Sequence, residues 1–303
     1  KADYPGLRER ARNKPAGYDI PLNPQSVLEV NIEDANNEFQ RRWELGGTQF
    51  LGAYGDLLFN AESNKVAAEF VKNKIREIVS DPETAELLCP TNIIGCKRLC
   101  VDTDYYATYN RSNVQLIDVF SKPIERITPQ GILHDGTEYE FDAIVFATGF
   151  DAMTGALANI KIIGKDHSLL TEKWRDGPQT YLGLASNGFP NMFMITGPGS
   201  PSVLTNMLPS IEQHVNFIAG CISHVVNNGL SAIEPDRKAE EDWGLHVNEV
   251  ADLSLRSTCA SWYVGANVPG KPRVFSPYIG GFPKYVERCE QVVGNNYEGF
   301  TLV

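Results

Sequence analysis

Ile32, Ala35, Phe39 and Trp43 recur near i, i+3, i+7 and i+11, with polar residues filling the positions between. That spacing places the four apolar side chains on one face of a helix. Gly46-Gly47 supplies its stop. Ala67, Val71, Ile75 and Ile78 repeat the pattern, leaving Lys72, Lys74, Arg76 and Glu77 for solvent. Ser80-Asp81-Pro82-Glu83 reads as a cap with proline in the first turn of a further helix. The charged opening, residues 1–13, has the look of a helix too, so residues 1 to about 90 are expected to be helical. From Asn92 the period changes. Residues 114–119 and 124–127 are strand-like, and residues 132–141 contain Asp135-Gly136, a hairpin signal. The apolar run 143–147 leads straight into Thr148-Gly149. It reads as a buried parallel strand ending where the backbone must approach something flat, which glycine permits. Residues 192–195 read as another short strand, opening into a loop of Gly, Pro and Ser. A long helix over 209–228 follows, with Ile211, Val215, Ile218, Ile222 and Val225 on one face and Asn228-Gly229 as its stop. Further helices are expected over 236–256, with an acidic start, and after Pro283; residues 299–303 are expected to form a final strand. Strands alternating with helices argue an α/β fold.

Composition narrows the classes. A chain of 303 residues can carry one large core or two domains. Its 42% hydrophobic and 21% charged residues are ordinary for a soluble globular protein. A net charge of −11 disfavours a nucleic-acid partner, which needs a basic face. No apolar run approaches the ~18 residues of a membrane helix, and no signal peptide is visible. A cytoplasmic location is therefore expected. The cysteines, Cys89, Cys96, Cys100, Cys221, Cys259 and Cys289, are scattered. Cys96-x-x-x-Cys100 lacks a second ligand pair, so no metal site is expected, and reduced thiols are the expected state.

Two segments carry a resemblance. FDAIVFATGFD (141–151) and TGPGSPSVLTNMLPSIEQHV (196–215) together resemble the C-terminal half of the Baeyer–Villiger flavin monooxygenases, the family of phenylacetone and cyclohexanone monooxygenase. The family implies two Rossmann-type dinucleotide sites, one for FAD and one for NADPH, each with a G-x-G-x-x-G turn. The glycine-rich places here, Gly46-Gly47, Gly197-Pro198-Gly199 and Gly280-Gly281, lack that spacing. The family's Phe-x-Gly-x-x-x-His-x-x-x-Trp run is absent too. The chain is therefore read as the C-terminal portion of a longer, two-dinucleotide-domain α/β flavoprotein. The resemblance implies that residues 1–92 are a helical insertion of the NADPH domain. It makes 93–150 the remainder of that domain and 151–303 part of the FAD domain.

Candidate site residues follow from the motifs. In Gly95-Cys96-Lys97-Arg98-Leu99-Cys100 the cationic pair sits among apolar and small residues, which favours burial beside an anion over plain surface exposure. In an extended segment Lys97 and Arg98 point to opposite sides. The resemblance makes Lys97 a ligand of the NADPH 2′-phosphate and Arg98 the catalytic arginine. A permanently charged guanidinium suits the negative charge of a flavin C4a-peroxide and of the ketone adduct it forms. By resemblance Thr148 and Gly149 form a turn near the cofactors, and Asp151 after it is taken as cofactor-binding with them; an ordinary cap is an equal reading of Asp151. Val203, Leu204, Met207 and Leu208 are too apolar for an exposed loop, and Ser200-Pro201-Ser202 is rigid. Apolar walls with a few polar groups suit a ketone pocket. By resemblance Ser202, Val203, Leu204 and Met207 line it, with the Met207 backbone near the reactive edge of the flavin. Trp262-Tyr263 opens a run of Gly, Pro and Asn up to Lys271, which reads as a shaped loop able to move. Core packing is the plainer role of such a pair. The resemblance has Trp262 donating its indole N–H to the nicotinamide ribose.

The reading is an NADPH-, FAD- and O2-dependent monooxygenase that converts ketones to esters or lactones. It needs no metal, nucleic acid or membrane, and a monomer or weak homo-oligomer is expected. Two alternatives stand: a related flavin monooxygenase of amines or sulfides, which needs no oxyanion-stabilising arginine, and a non-catalytic fragment.

Overall fold

The computed structural model describes residues 3–303. The first helix, α1 (Tyr4–Arg12), is capped by Asp3 with proline in its first turn; residues 1 and 2, expected to belong to it, lie outside the described part. The helical block continues with α2 (Ile32–Leu45), α3 (Ala61–Ile78), α4 (Pro82–Leu88) and the short α5 (Tyr105–Thr108). Each expected signal acts as its chemistry dictates. Gly46 ends α2 at φ +65°, and the Asp81 carboxylate accepts from the Thr84 N–H at the start of α4. Phe39 is the hub of this block, with ring centroids of Phe50, Tyr54 and Phe70 at 5.3–5.4 Å. Ile32, at the first turn of α2, is 65% exposed, and Arg42 takes a buried position instead by donating to Glu38 and to the Pro21 carbonyl.

Next comes an antiparallel sheet of β1 (Arg126–Ile127), β2 (Gly131–His134) and β3 (Thr137–Glu140). Asp135 and Gly136 both take positive φ between His134 and Thr137, the two-residue turn that an Asp-Gly pair favours. The strands expected over 114–119, 143–148 and 192–195 do not form. Within 143–148 the reason is explicit: a strand needs paired N–H and C=O groups, and none of the described residues lies alongside to pair. Val145, Phe146 and Phe150 are left 87%, 70% and 91% exposed.

The rest of the chain holds the larger core. It comprises α6 (Gly155–Ala158), α7 (Leu170–Lys173), α8 (Met207–Asn227), β4 (Ile233–Pro235), α9 (Arg237–Asp252), α10 (Phe282–Gly294) and β5 (Phe300–Leu302), with β4 and β5 paired antiparallel. Tyr181, Leu182, Leu184, Phe217, Trp243 and Tyr285 are among its buried members. Helix α8 begins two residues before its expected start because Asn206 caps it. Its buried face carries Ser210, His214, Phe217 and Cys221. The expected stripe lies one residue further round, and Val215 and Ile222 are about half exposed. No helix among the described residues is long and apolar enough to cross a membrane.

Cys96 and Cys259, 163 residues apart, are joined as a disulfide with Cα atoms 6.0 Å apart. This corrects the expectation of six free thiols. Sequence distance hides a pairing that only the fold creates. Burial pushes the remaining buried thiols, Cys221 and Cys289, up to about 12. Among the described residues no cluster of His, Cys, Asp or Glu is placed to hold a metal.

Candidate active site

The loop after residue 195 is held from every side. Thr180 Oγ1 donates to the Pro198 carbonyl at 2.6 Å, and Trp243 Nε1 donates to Gly199 O at 3.0 Å. The Gly199 N–H donates to Ser276 O at 2.6 Å, and the Tyr278 N–H to Ser200 O at 2.7 Å. Gly199 has φ +88°, and a Cβ there would sit 2.7 Å from Thr180 Oγ1, so only glycine fits. The loop opens at Thr196, which holds φ +58°, a strained conformation for a β-branched residue. Its N–H donates to Nδ1 of His214 at 3.0 Å. His214 is fully buried, and burial pushes its pKa down to about 4. A neutral ring accepting at Nδ1 carries its proton on Nε2, which has no partner among the described residues.

Arg98 reaches the end of this loop. Its Nη2 donates to the Val203 carbonyl at 2.5 Å, within the single 3₁₀ turn Ser202–Leu204. Val203, Leu204 and Trp262 pack on the buried cluster of Tyr263, Val264 and Phe275. The Tyr263 hydroxyl is raised by burial and drawn back by two nearby cations, Arg256 and Arg98. Arg98, the 202–204 turn and the Trp262-Tyr263 pair, predicted from three separate motifs, therefore come together. Lys97 and Arg98 are both exposed, contrary to the burial expected of them; Arg98 meets a backbone carbonyl at the surface in place of a buried anion. Met207 stands half-buried at the first turn of α8.

The Trp262 ring lies 4.2 Å from that of Tyr263 and borders a cavity of about 330 Å³ that is also lined by Asp151, Leu157, Pro269 and Lys271. Among the described residues its indole N–H makes no hydrogen bond, and the neighbouring Ser261 hydroxyl is buried without a partner. The far end of the Trp262 loop is clasped. Lys271 pairs with the Asp151 carboxylate and donates to Ala152 O at 2.9 Å, while Asn267 Nδ2 donates to Phe150 O at 2.9 Å. Asp151 thus faces a lysine of its own chain. Thr148 and Gly149 are exposed; Gly149 has φ +80° and open space around it, so conformation rather than crowding calls for glycine. No motif gave Lys271, Asn267, Arg256 or His214 a role: His214 sits beside Glu212 and Gln213, and Arg256 among serines and leucines, so nothing local marks either as buried or bonded.

These residues fit one part of a dinucleotide flavoenzyme. Exposed Lys97 offers positive charge to phosphate, and Trp262 offers a free donor at a cavity wall. The strand–turn–helix that cradles a flavin's ADP half is not among the described residues.

No protein-family model matches the chain. It is 38% identical over 305 residues to a phenazine N-monooxygenase of Lysobacter antibioticus, spanning all of this chain and 56% of that protein. It is 38% identical over 286 residues to a cyclohexanone 1,2-monooxygenase of an Acinetobacter species, spanning 93% of this chain and 52% of that one. A solved steroid monooxygenase in its oxidized form with NADP bound superposes at a TM-score of 0.93 with 42% identity, over all of this chain and 57% of the other. The chain thus spans just over half the length of the curated relatives it matches.

Proposed function

We propose, on the premise that this chain belongs to the Baeyer–Villiger family of flavin monooxygenases, that it is part of an enzyme using FAD, NADPH and O2 to convert ketones to esters or lactones. The observation that carries the reading is the hydrogen bond from Arg98 to Val203, which sets a permanent cation on an apolar turn that shares its buried cluster with Trp262. When bound, reduced FAD supplies activated oxygen. Arg98 then meets the negative charge that develops on the ketone oxygen. A guanidinium keeps its proton there and offers several donors in a fixed plane. Because Arg98 is held by the turn that also carries Ser202 and Leu204, the cation and the pocket wall keep one spacing. Met207 would complete the wall on the flavin side. Lys97 would hold the 2′-phosphate of NADPH, Trp262 would donate to its ribose, and the Thr148-Gly149 backbone would serve cofactor binding. Asp151 acts through Lys271, clasping the Trp262 loop. Residues 1–92 form a helical insertion of the NADPH domain, 93–150 the remainder of that domain and 151–303 part of the FAD domain. A cytoplasmic location, a monomeric or weakly associated state and the absence of a nucleic-acid partner complete the reading; the last is supported by the net charge of −11.

Similarity to the phenazine N-monooxygenase favours a second reading, oxidation of an aromatic ring nitrogen. That reaction develops no negative oxygen on its substrate and needs no oxyanion partner. The test is Arg98→Ala in the complete enzyme, with cyclohexanone and a phenazine as substrates. Ester formation is expected to fall by roughly 10²–10³-fold, the loss typical of one donor to a developing oxyanion, while NADPH still reduces the flavin. A wild-type enzyme that makes N-oxide and no ester, indifferent to Arg98→Ala, establishes the second reading.

A further inference from the structure

The segment carrying Arg98 is pinned at two points to the stretch that leads into Trp262. Arg256 Nε donates to the Gly95 carbonyl at 2.9 Å, and one residue further on Cys96 is joined to Cys259. Between the bridge and the proposed site groups Arg98 and Trp262 lie only one residue on one side, Lys97, and two on the other, Ala260 and Ser261. The bend at the first tether is specific. Gly95 has φ +82°, and a Cβ there would meet Leu58 Cδ2 at 2.5 Å, so the chain turns at a glycine-only position and sends residues 96–98 outward to Val203. Arg256 is an unusual pin. Its side chain is half-buried and makes no ion pair with a carboxylate among the described residues; the Tyr263 hydroxyl is the one titratable group whose charge it feels. Burying a cation this way is costly. Holding a carbonyl already fixed by a glycine turn is a poor return in stability alone, but it sets the direction of the segment that follows.

We propose that Arg256 and the Cys96–Cys259 bridge are positioning residues that hold Arg98 in register with the Trp262 loop, and that the bridge makes this register redox-dependent. The inference rests on the monooxygenase reading of Arg98 and Trp262. The chemistry balances. A dithiol reduces the bridge to two thiols and is itself oxidised to a disulfide. Hydrogen peroxide re-forms the bridge by accepting two electrons and two protons and becoming two waters. Cys259 is half-buried, which leaves a path for either reagent. In a reducing compartment such a bridge is a reversible element rather than a permanent staple.

The experiment uses the complete flavoenzyme and compares wild type, dithiothreitol-reduced wild type, Cys96→Ser, Arg256→Met and Arg256→Lys. Ester formed per NADPH consumed, kcat and KM for the ketone, and hydrogen exchange over residues 95–99 are measured in each. Arg256→Met is expected to lower kcat on the order of 10- to 100-fold, the scale of an ångström-sized misplacement. KM and flavin content should stay within about twofold, and Arg256→Lys, which keeps a donor and the charge, should recover most of the loss. Reduced wild type and Cys96→Ser should release more hydrogen peroxide per NADPH, and peroxide should restore the reduced wild type only. Exchange over residues 95–99 should rise in every impaired form. If Arg256→Met fails to fold, the reduced wild type still decides. Full ester yield after complete reduction of an active enzyme, or two free thiols at Cys96 and Cys259 before any reduction, overturns the proposal. A wild type that oxidises no ketone, yet shows the exchange changes, overturns the monooxygenase reading and leaves the tether standing.

Discussion

Trp262 shows how one side chain can serve both packing and binding. It lies against Tyr263, on the buried cluster that Val203 and Leu204 also cover, and it borders the cavity. Trp262→Ala removes the edge donor and part of the apolar wall. In the complete enzyme, the fraction of NADPH consumption that yields ester should fall at least severalfold, with hydrogen peroxide making up the difference, while the melting temperature drops only a few degrees. Unchanged coupling with a large drop in melting temperature would make Trp262 a core residue alone. His214 is a second residue with a measurable consequence. Burial holds its folded pKa near 4, below the ordinary value of 6.5. The unfolded chain therefore binds a proton between those values while the folded chain does not, and stability present above pH 6.5 is lost as pH falls toward 4. The full swing is about 3 kcal/mol. His214→Gln should flatten that part of the curve, measured as denaturation midpoints between pH 4 and 7. It should also loosen Thr196, whose N–H the ring holds at 3.0 Å.

Among the elements, α7 and α9 are tied by a buried ion pair. Glu240 is 4% exposed and accepts from Lys173 at 2.7 Å, from the Asn187 N–H at 2.9 Å and from the Ser186 hydroxyl at 3.1 Å. Removing one partner of such a pair leaves the other charge buried. Glu240→Ala is therefore expected to cost about 3–5 kcal/mol, read from chemical denaturation, far more than loss of an exposed pair such as Arg237–Glu241. Helix α8 illustrates what periodicity can and cannot tell. Its existence and end are plain in the sequence, from the apolar repeat and Asn228-Gly229. Its buried face is not, because apolar and small residues occupy more than one side. Packing against Tyr285, whose ring lies 5.6 Å from that of His214, selects the stripe through Ser210 and Cys221.

For the whole molecule, the two cores lie in the helical block and in the segment after residue 180, and the stretch around 143–150 stands exposed. No Gly-rich strand–turn–helix for a flavin's pyrophosphate occurs in the sequence. The polypeptide of residues 1–303 alone is therefore expected to purify colourless. A yellow species with one FAD per chain, seen by absorbance after gel filtration, contradicts this.

Local chemistry was enough to place the helices of the first block, the Asp135-Gly136 hairpin, the last strand and the motifs around Arg98, residues 198–207 and Trp262. Caps, glycine stops and two-residue turns act over a few bonds, so the residue types themselves encode them. Family resemblance then attached a chemistry to those motifs. What only the tertiary structure decided are contacts between residues far apart in the chain: Arg98 on Val203, Lys271 on Asp151, Arg256 on Gly95, Cys96 with Cys259 and Thr196 on His214. The same holds for the strand expected at 143–148. An apolar run states that it must be buried or paired, but its partner has to come from elsewhere, and no periodicity within the run can say whether one arrives.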